Sequence, residues 1–311
     1  MSTRRRAATV MPEPEPLGPS EMLPGLAVDD AYRSARRRFW RRLRRHRPAV
    51  VSAVVLVLLA AVCFGAPLFA PYSPNEQNLA LGAVGPSAHH WFGTDELGRD
   101  ELSRLLYAGQ ISLEIGLAVA LLSTLVGTVV GAIAGFVGKT TDQALMRLTD
   151  LFLVLPALAV LALVLERFGH DQLTIILVLA ALFWMYVARV VRAQVLAIKE
   201  QEYVEAARAS GASGRWIVWR HVLPNCVGPI VVNATLAVAA AIVAESALSF
   251  LGFGVQLPAT SWGRMLADAE GYVGTSQAYL MYFPGMAILV TVLAVNFLGD
   301  GLRDAFDPRA P

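Results

Sequence analysis

Of 311 residues, 56% are hydrophobic and only 16% charged, and the mean hydropathy is +0.53. Soluble domains carry about a quarter charged residues, so this composition excludes an ordinary water-soluble fold and points into a lipid bilayer. The formal charge of +2 hides an asymmetry, with 12 basic and 5 acidic residues in positions 1–48 against 14 and 19 in the remainder.

Residues 1–32 hold Pro12, Pro14, Pro16, Pro19 and Pro24 among small and polar residues without periodicity. Such a stretch cannot bury enough apolar surface to order itself and reads as a disordered cytoplasmic tail. Residues 33–48 carry nine arginines, with Phe39, Trp40 and Leu43 sharing one helical face. Basic runs also occur in nucleic-acid binders. Next to a spanning helix, however, arginines attract anionic lipid at about 1 kcal/mol each, so we read an interfacial elbow helix that meets membrane lipid and no nucleic acid. The apolar run 49–69 follows without an A-x-A cleavage pattern and is read as an uncleaved first transmembrane helix.

The polar loop 70–110 contains WFGTDELGRDELSRLLYAG. Leu102, Leu105 and Leu106 fall on one side of a helix, with Ser103 and Arg104 away from it, so a short amphipathic helix lying on the outer surface is expected. His89, His90, Asp95 and Asp100 lack metal-ligand spacing.

Residues 111–303 form the core, with uncharged windows at 115–138, 173–188, 227–244 and 272–299. A spanning helix needs about 20 mostly apolar residues, and a further window, 151–165, falls short of that. Counting it gives six helices, the third the shortest. Gly127, Gly131 and Gly135 repeat every four residues, a pattern that lets helix backbones approach closely, whether within the chain or between subunits. Gly138-Lys139-Thr140 resembles the end of a P-loop, but Ile133 stands where the first glycine belongs and a spanning helix precedes it. A helix end capped by the Lys139 cation is the simpler reading. No cofactor site is predicted in this chain.

Placing the amino terminus in the cytoplasm puts 22 of the 26 basic residues in cytoplasmic segments and leaves Arg99, Arg104, Arg167 and Arg264 outside. The positive-inside bias therefore sets both termini, including the tail 304–311, in the cytoplasm. On this topology Cys63 and Cys226 lie at opposite membrane faces and cannot pair. No Ser/His/Asp or Cys/His constellation can be assembled, so the chain is not read as an enzyme. Glu245 is an acidic residue close to the outer end of its helix, where charge is costly. It is either a hydrogen-bonded packing residue or part of a gate. Asn233 is a second polar candidate for the path.

The stretch 199–225 interrupts this apolar pattern with helix-forming polar residues. Lys199 to Ala209 favours a helix, Gly211 permits a reversal, Ser213 caps a second short helix, and Pro224 stops it before Asn225 opens the next span. Ala206, Ala207 and Ser210 present a small-residue face, with Glu205 beside it. A structured connection of this length is read as a docking platform for a cytoplasmic partner.

These residues resemble the permease subunits of ATP-binding-cassette importers, whose signature is E-A-A, three residues, G, nine residues, then I-x-L-P. Here it stands as Glu205-Ala206-Ala207, Gly211 and His221-Val222-Leu223-Pro224, with His221 in place of the isoleucine. GTDELGRDELSRLLYAG, DQALMRLTDLFLVLP, ESALSFLGFG, SWGRML and NFLGDGLRDAFDPR each look like segments of the second type of dipeptide, oligopeptide or nickel permease. The resemblance covers about residues 90–309. It implies an all-α membrane protein with a six-helix, MetI-like transmembrane domain in the bacterial inner membrane, in which 199–225 couples to ATPase subunits through Glu205, Ala206, Ala207, Gly211, Leu223 and Pro224. It further implies a second homologous permease chain, two cytoplasmic ATPases that bind ATP and magnesium, and an extracytoplasmic substrate-binding protein. The cargo implied is a di- or oligopeptide, with a nickel chelate or other small solute as the alternative. An ion-coupled secondary transporter is the rival from another class. It needs carboxylates near mid-bilayer, and Glu114 and Glu245 both fall near outer ends.

Overall fold

The computed structural model describes residues 37–307, and these are helical apart from loops, with one isolated antiparallel bridge between Thr94 and Asp100. Helix α1 covers 37–45, and α2, Arg47–Phe64, follows after a break at His46, whose Nδ1 accepts a hydrogen bond from the Ala49 amide at 3.2 Å. A short turn, α3 (Ala66–Phe69), precedes the loop to α4, Glu101–Val137. Then come α5 (Lys139–Val154), α6 (Ala157–Phe168), α7 (Gln172–Lys199), α8 (Glu202–Ala209) and α9 (Gly214–Ile217). A π-helical turn, Val218–Val222, joins α9 to α10, Leu223–Phe250, and α11 (Trp262–Asp268) and α12 (Tyr279–Phe306) complete the chain. Among the described residues five helices, α2, α4, α7, α12 and the unit Gly214–Phe250, are long and apolar enough to cross a membrane.

The third expected span differs from its reading. α5 and α6 meet at an 85° bend, because Leu155 is extended ahead of Pro156, as the residue before a proline must be. α6 alone has 12 residues, about 18 Å at 1.5 Å per residue, so the sixth candidate span is the bent pair α5–α6 and not one straight helix. α5 lies along α7 instead, held by ion pairs from Asp142 to Arg192 and Asp150 to Arg189.

The glycine repeat is satisfied inside the chain. A Cβ on Gly127 would stand 2.6 Å from both the Trp184 carbonyl oxygen and Val187 Cβ, and one on Gly135 would stand 2.8 Å from Val195 Cβ. Gly131 faces Ala188 and Val191 in the same way. α4 and α7 thus touch backbone to backbone, a close approach that only small residues allow. The apolar centre forms where Ile115 and Val119 of α4 meet Leu161 and Leu165 of α6, Leu179 and Met185 of α7 and Leu248 of α10.

Two further expectations are corrected. Residues 101–109 do not lie flat on a surface. They are the first turns of the 37-residue α4, capped by Asp100, whose carboxylate accepts from the Ser103 amide at 2.8 Å. Ser103 and Arg104, read as the outward face, are buried, because Asp95 supplies the counter-charge that lets Arg104 turn inward. At the far end of α4 the cation on the last carbonyls is not Lys139, which is exposed and has a left-handed φ of 51°. Lys199 Nζ donates to the Phe136 carbonyl at 2.9 Å. The last span starts at Tyr279, since Glu270–Tyr272 forms a separate 3-10 turn.

The bundle has two unlike ends. One gathers the 70–100 loop, α11 and the start of α12. The other gathers α1, α8, α9 and the last turn of α12, where Phe39 packs on Phe306 at 4.6 Å and Arg42 donates to the Asp307 carbonyl.

Candidate functional site

At the α8–α9 end, every signature residue lies in one continuous structure. α8 and its C-cap Ser210 present Glu205, Ala206, Arg208 and Ser210 to the surface, and Val204 points inward, where it is fully buried. Val204 joins Ile217, Val222 and Cys226 against Val191 and Val195 of α7 and Ala132 of α4. Gly211 reverses the chain at φ 84°, with nothing within 4 Å of where a Cβ would sit. Glycine is therefore needed here for the left-handed backbone and not for space. The Ser213 hydroxyl accepts from the Trp216 amide at 3.4 Å and caps α9.

Pro224 does not stop the second helix. It sits in the first turn of α10, directly after the π-helical turn. A proline inside a regular helix lacks an N–H and clashes with the carbonyl four residues back. A wider i→i+5 turn relieves that clash, so the chain runs on from Gly214 to Phe250. His221 lies between the rings of Tyr203, at 5.8 Å, and Trp216, at 5.0 Å. These aromatic contacts fill the position where the resembling signature has isoleucine. Burial, then the nearby Cys226, pushes the Tyr203 hydroxyl above its ordinary pKa. The sequence reading gave Val204, Ile217 and Val222 no anchoring role, although their apolar character within a polar stretch was the available signal.

The two path candidates do not share a site. Asn233 donates from Nδ2 to the Pro229 carbonyl at 2.9 Å and lines a cavity of about 620 Å³ with Gln194, Asn225, Arg303 and Asp307. Glu245 lies twelve residues further along α10, about 18 Å away at 1.5 Å per residue, and is wholly buried. Its Oε1 accepts from Ser249 Oγ at 2.6 Å and Ser261 Oγ at 2.7 Å, tying α10 to α11.

At the opposite end, charged residues form a clamp. Asp95 Oδ2 accepts from Arg99 Nε and Arg104 Nη1, each at 2.6 Å, while Oδ1 accepts from the Leu97 and Arg99 amides. Arg104 also reaches Asp268 of α11 at 3.4 Å. Trp262 donates its indole N–H to the Leu105 carbonyl at 3.0 Å, and the Tyr279 hydroxyl reaches the Thr94 carbonyl at 2.7 Å. Here three of the four loop residues considered for a metal have other partners. His90 Nδ1 meets Asp100 Oδ1 at 2.9 Å, Asp95 is held by arginines, and among the described residues no group of His, Cys, Asp and Glu has the geometry to hold a metal ion.

Comparison with known proteins places this arrangement in context. Residues 127–310 match the family described as the inner membrane component of binding-protein-dependent transport systems, and residues 34–84 match the N-terminal transmembrane domain of oligopeptide transport permease C. The chain is 42% identical over 270 residues to the dipeptide transport system permease protein DppC of Bacillus subtilis, covering 87% of this chain and 84% of the relative. It is 41% identical over 280 residues to the oligopeptide transport system permease protein OppC of Escherichia coli K12, covering 89% and 91%. A putative peptide permease protein of Brucella suis is 42% identical over 270 residues, covering 86% and 89%.

Proposed function

The chain belongs to the family of binding-protein-dependent transport inner membrane components, and on that premise we propose that it is a pore-forming permease subunit of an ATP-driven peptide importer in the bacterial inner membrane. The end bearing α8 and α9 faces the cytoplasm, and the 70–100 loop faces outward. The chain hydrolyses nothing itself. Two cytoplasmic ATPases bind ATP and magnesium, a second homologous permease completes the path, and an external binding protein delivers di- or oligopeptide.

The observation that supports this reading is the build of the Glu202–Val222 segment. Among the described residues its outward face, Glu205, Ala206 and Ser210, has no partner beyond local helix bonds, while Val204, Ile217 and Val222 fix it to α7 and α4. A surface that is polar outside and anchored inside transmits a push as a rigid body. The push enters α10 without a break, because the π-helical turn carries the chain past Pro224. Tilting of packed helices is the class of motion that such an input drives.

The test replaces Glu205 by arginine in the complete importer reconstituted with its binding protein. Uptake of labelled dialanine falls to background and peptide-stimulated ATP hydrolysis is lost, while the subunit remains assembled in the membrane. Uptake that persists in this variant and collapses with a protonophore at constant ATP refutes the reading in favour of an ion-coupled carrier.

A further inference from the structure

α4 carries two ridges of opposite character. Gly127, Gly131 and Gly135 meet α7 backbone to backbone. Leu125, Val129, Ile133 and Val137 fall two residues out of step with them, about 200° round a helix of 3.6 residues per turn, and all four are exposed. The segment 125–137 holds no charged residue, so this second ridge belongs against lipid or another membrane helix. Its last two residues enter a groove of about 400 Å³ shared with Phe136, Arg215, Val218 and Trp219. The two walls are close, since a Cβ on Gly214 would stand 3.0 Å from Phe136 Cε1.

Among the described residues that line the groove, Arg215 carries the only charge. It is exposed, and no carboxylate among the described residues stands within ion-pair distance of it. The acids of α8, Glu202 and Glu205, do not line the groove. Lys199 adds positive charge beside it, because its Nζ donates to the Phe136 carbonyl at 2.9 Å. Trp219 is 74% exposed, and a bare indole at the end of a spanning unit suits the membrane–water interface. The occupant follows from these features together. A water-soluble protein could answer Arg215 but could not follow the ridge, which runs back about 18 Å into the apolar span at 1.5 Å per residue. The apolar surface of a neighbouring membrane helix could cover the ridge but gives Arg215 no counter-charge. An anionic phospholipid does both, with charge-assisted hydrogen bonds from the guanidinium to its phosphate.

We propose that the groove between the end of α4 and residues 214–219 is a binding site for one anionic phospholipid, with its phosphate on Arg215 and an acyl chain along Val137, Ile133 and Val129. The site goes beyond the importer reading and does not rest on it. The test reconstitutes the assembled importer in vesicles of phosphatidylcholine and phosphatidylglycerol. A trace of one lipid or the other carries a diazirine in an acyl chain, and the crosslinked residues are mapped by mass spectrometry. Capture at Leu121, exposed in the other half of α4, reports bulk lipid in the same sample. Relative to Leu121, labelled phosphatidylglycerol should mark Ile133 and Val137 about fivefold more often than labelled phosphatidylcholine, the preference that one basic residue confers for an anionic lipid. Arg215→Gln should remove that preference. Arg215→Lys should keep most of it, which a merely structural role for the arginine would not predict. Equal capture of the two lipids, or a preference that survives R215Q, overturns the proposal. Absence of lipid capture at Ile133 and Val137 also overturns it and gives the groove to a protein subunit. Glu205→Arg loses uptake and leaves the lipid preference unchanged, so failure of the site and failure of the importer reading are distinguishable.

Discussion

Glu205 and Val204 are adjacent in sequence and opposite in role. One is exposed and available to a neighbour, while the other is fully buried and holds α8 in place. The same contrast separates glycines. Gly211 is needed for its backbone angle, and Gly127 for the space that its missing side chain leaves. Gly127→Ala drives a methyl to within 2.6 Å of the Trp184 carbonyl oxygen and Val187 Cβ, so α4 and α7 must separate. Overpacking of this kind costs about 1–3 kcal/mol. A melt of the purified protein followed by intrinsic fluorescence should show a lower midpoint, and an unchanged midpoint would mean that the two backbones are not in register here. This contact was legible in advance as a four-residue repeat, although the sequence did not say whether the partner helix was internal. Arg104 was misplaced for the opposite reason. A charge on a helix reads as an outward face unless its counter-ion is known, and Asp95 comes nine residues earlier, across a turn.

Among the elements, the one least legible in sequence is the join between α9 and α10. Pro224 signals a helix end by local rules, yet a π-helical turn absorbs it and the rod continues. The bend at Leu155–Pro156 follows the same local rule, and there the helix does break. The difference lies in packing. Val222 and Cys226 on either side of Pro224 are both fully buried in one apolar cluster, whereas Leu155 and Pro156 are exposed. The reversal at Gly211 needs no such support and was readable from the residue alone. Because no atom lies within 4 Å of its missing Cβ, its replacements should sort by backbone preference and not by size. Asparagine, which visits the left-handed region readily, should retain most uptake. Valine, for which that region is a marked outlier, should displace α8 and abolish peptide-stimulated ATP hydrolysis. If asparagine and valine behave alike, the turn is not what sets the geometry of the docking face.

On the scale of the whole molecule, α10 connects the two ends. On the function proposed above it takes its input beside Val222, and it ends 28 residues later at Phe250, about 42 Å away at 1.5 Å per residue. A rod moves a distant element only if its far end is fastened, and Glu245 provides one such fastening. Its Oε1 receives hydroxyl protons from Ser249 on its own helix and from Ser261 at the start of α11, while α11 is in turn fixed to α4 through Trp262 and Leu105. The acid that drew notice as an isolated charge near a helix end is thus the link between two elements. Sequence alone could not show this, because Ser261 lies sixteen residues away beyond a loop. Ser261→Ala removes the link between helices and leaves Glu245 with the Ser249 bond alone. Ser261 also caps α11 by accepting from the Arg264 amide at 3.1 Å, so part of the loss in stability, about 1–2 kcal/mol for a missing cap, belongs to that helix. A serine-to-threonine change keeps both bonds and serves as the control. In the reconstituted importer, the alanine variant should hydrolyse ATP at a near-normal rate but move fewer peptides per ATP than the threonine variant, because the input swings α10 without carrying α11. An unchanged ratio of peptide moved to ATP consumed would show that motion reaches the far end by another route, through the α4–α7 contact and not along α10.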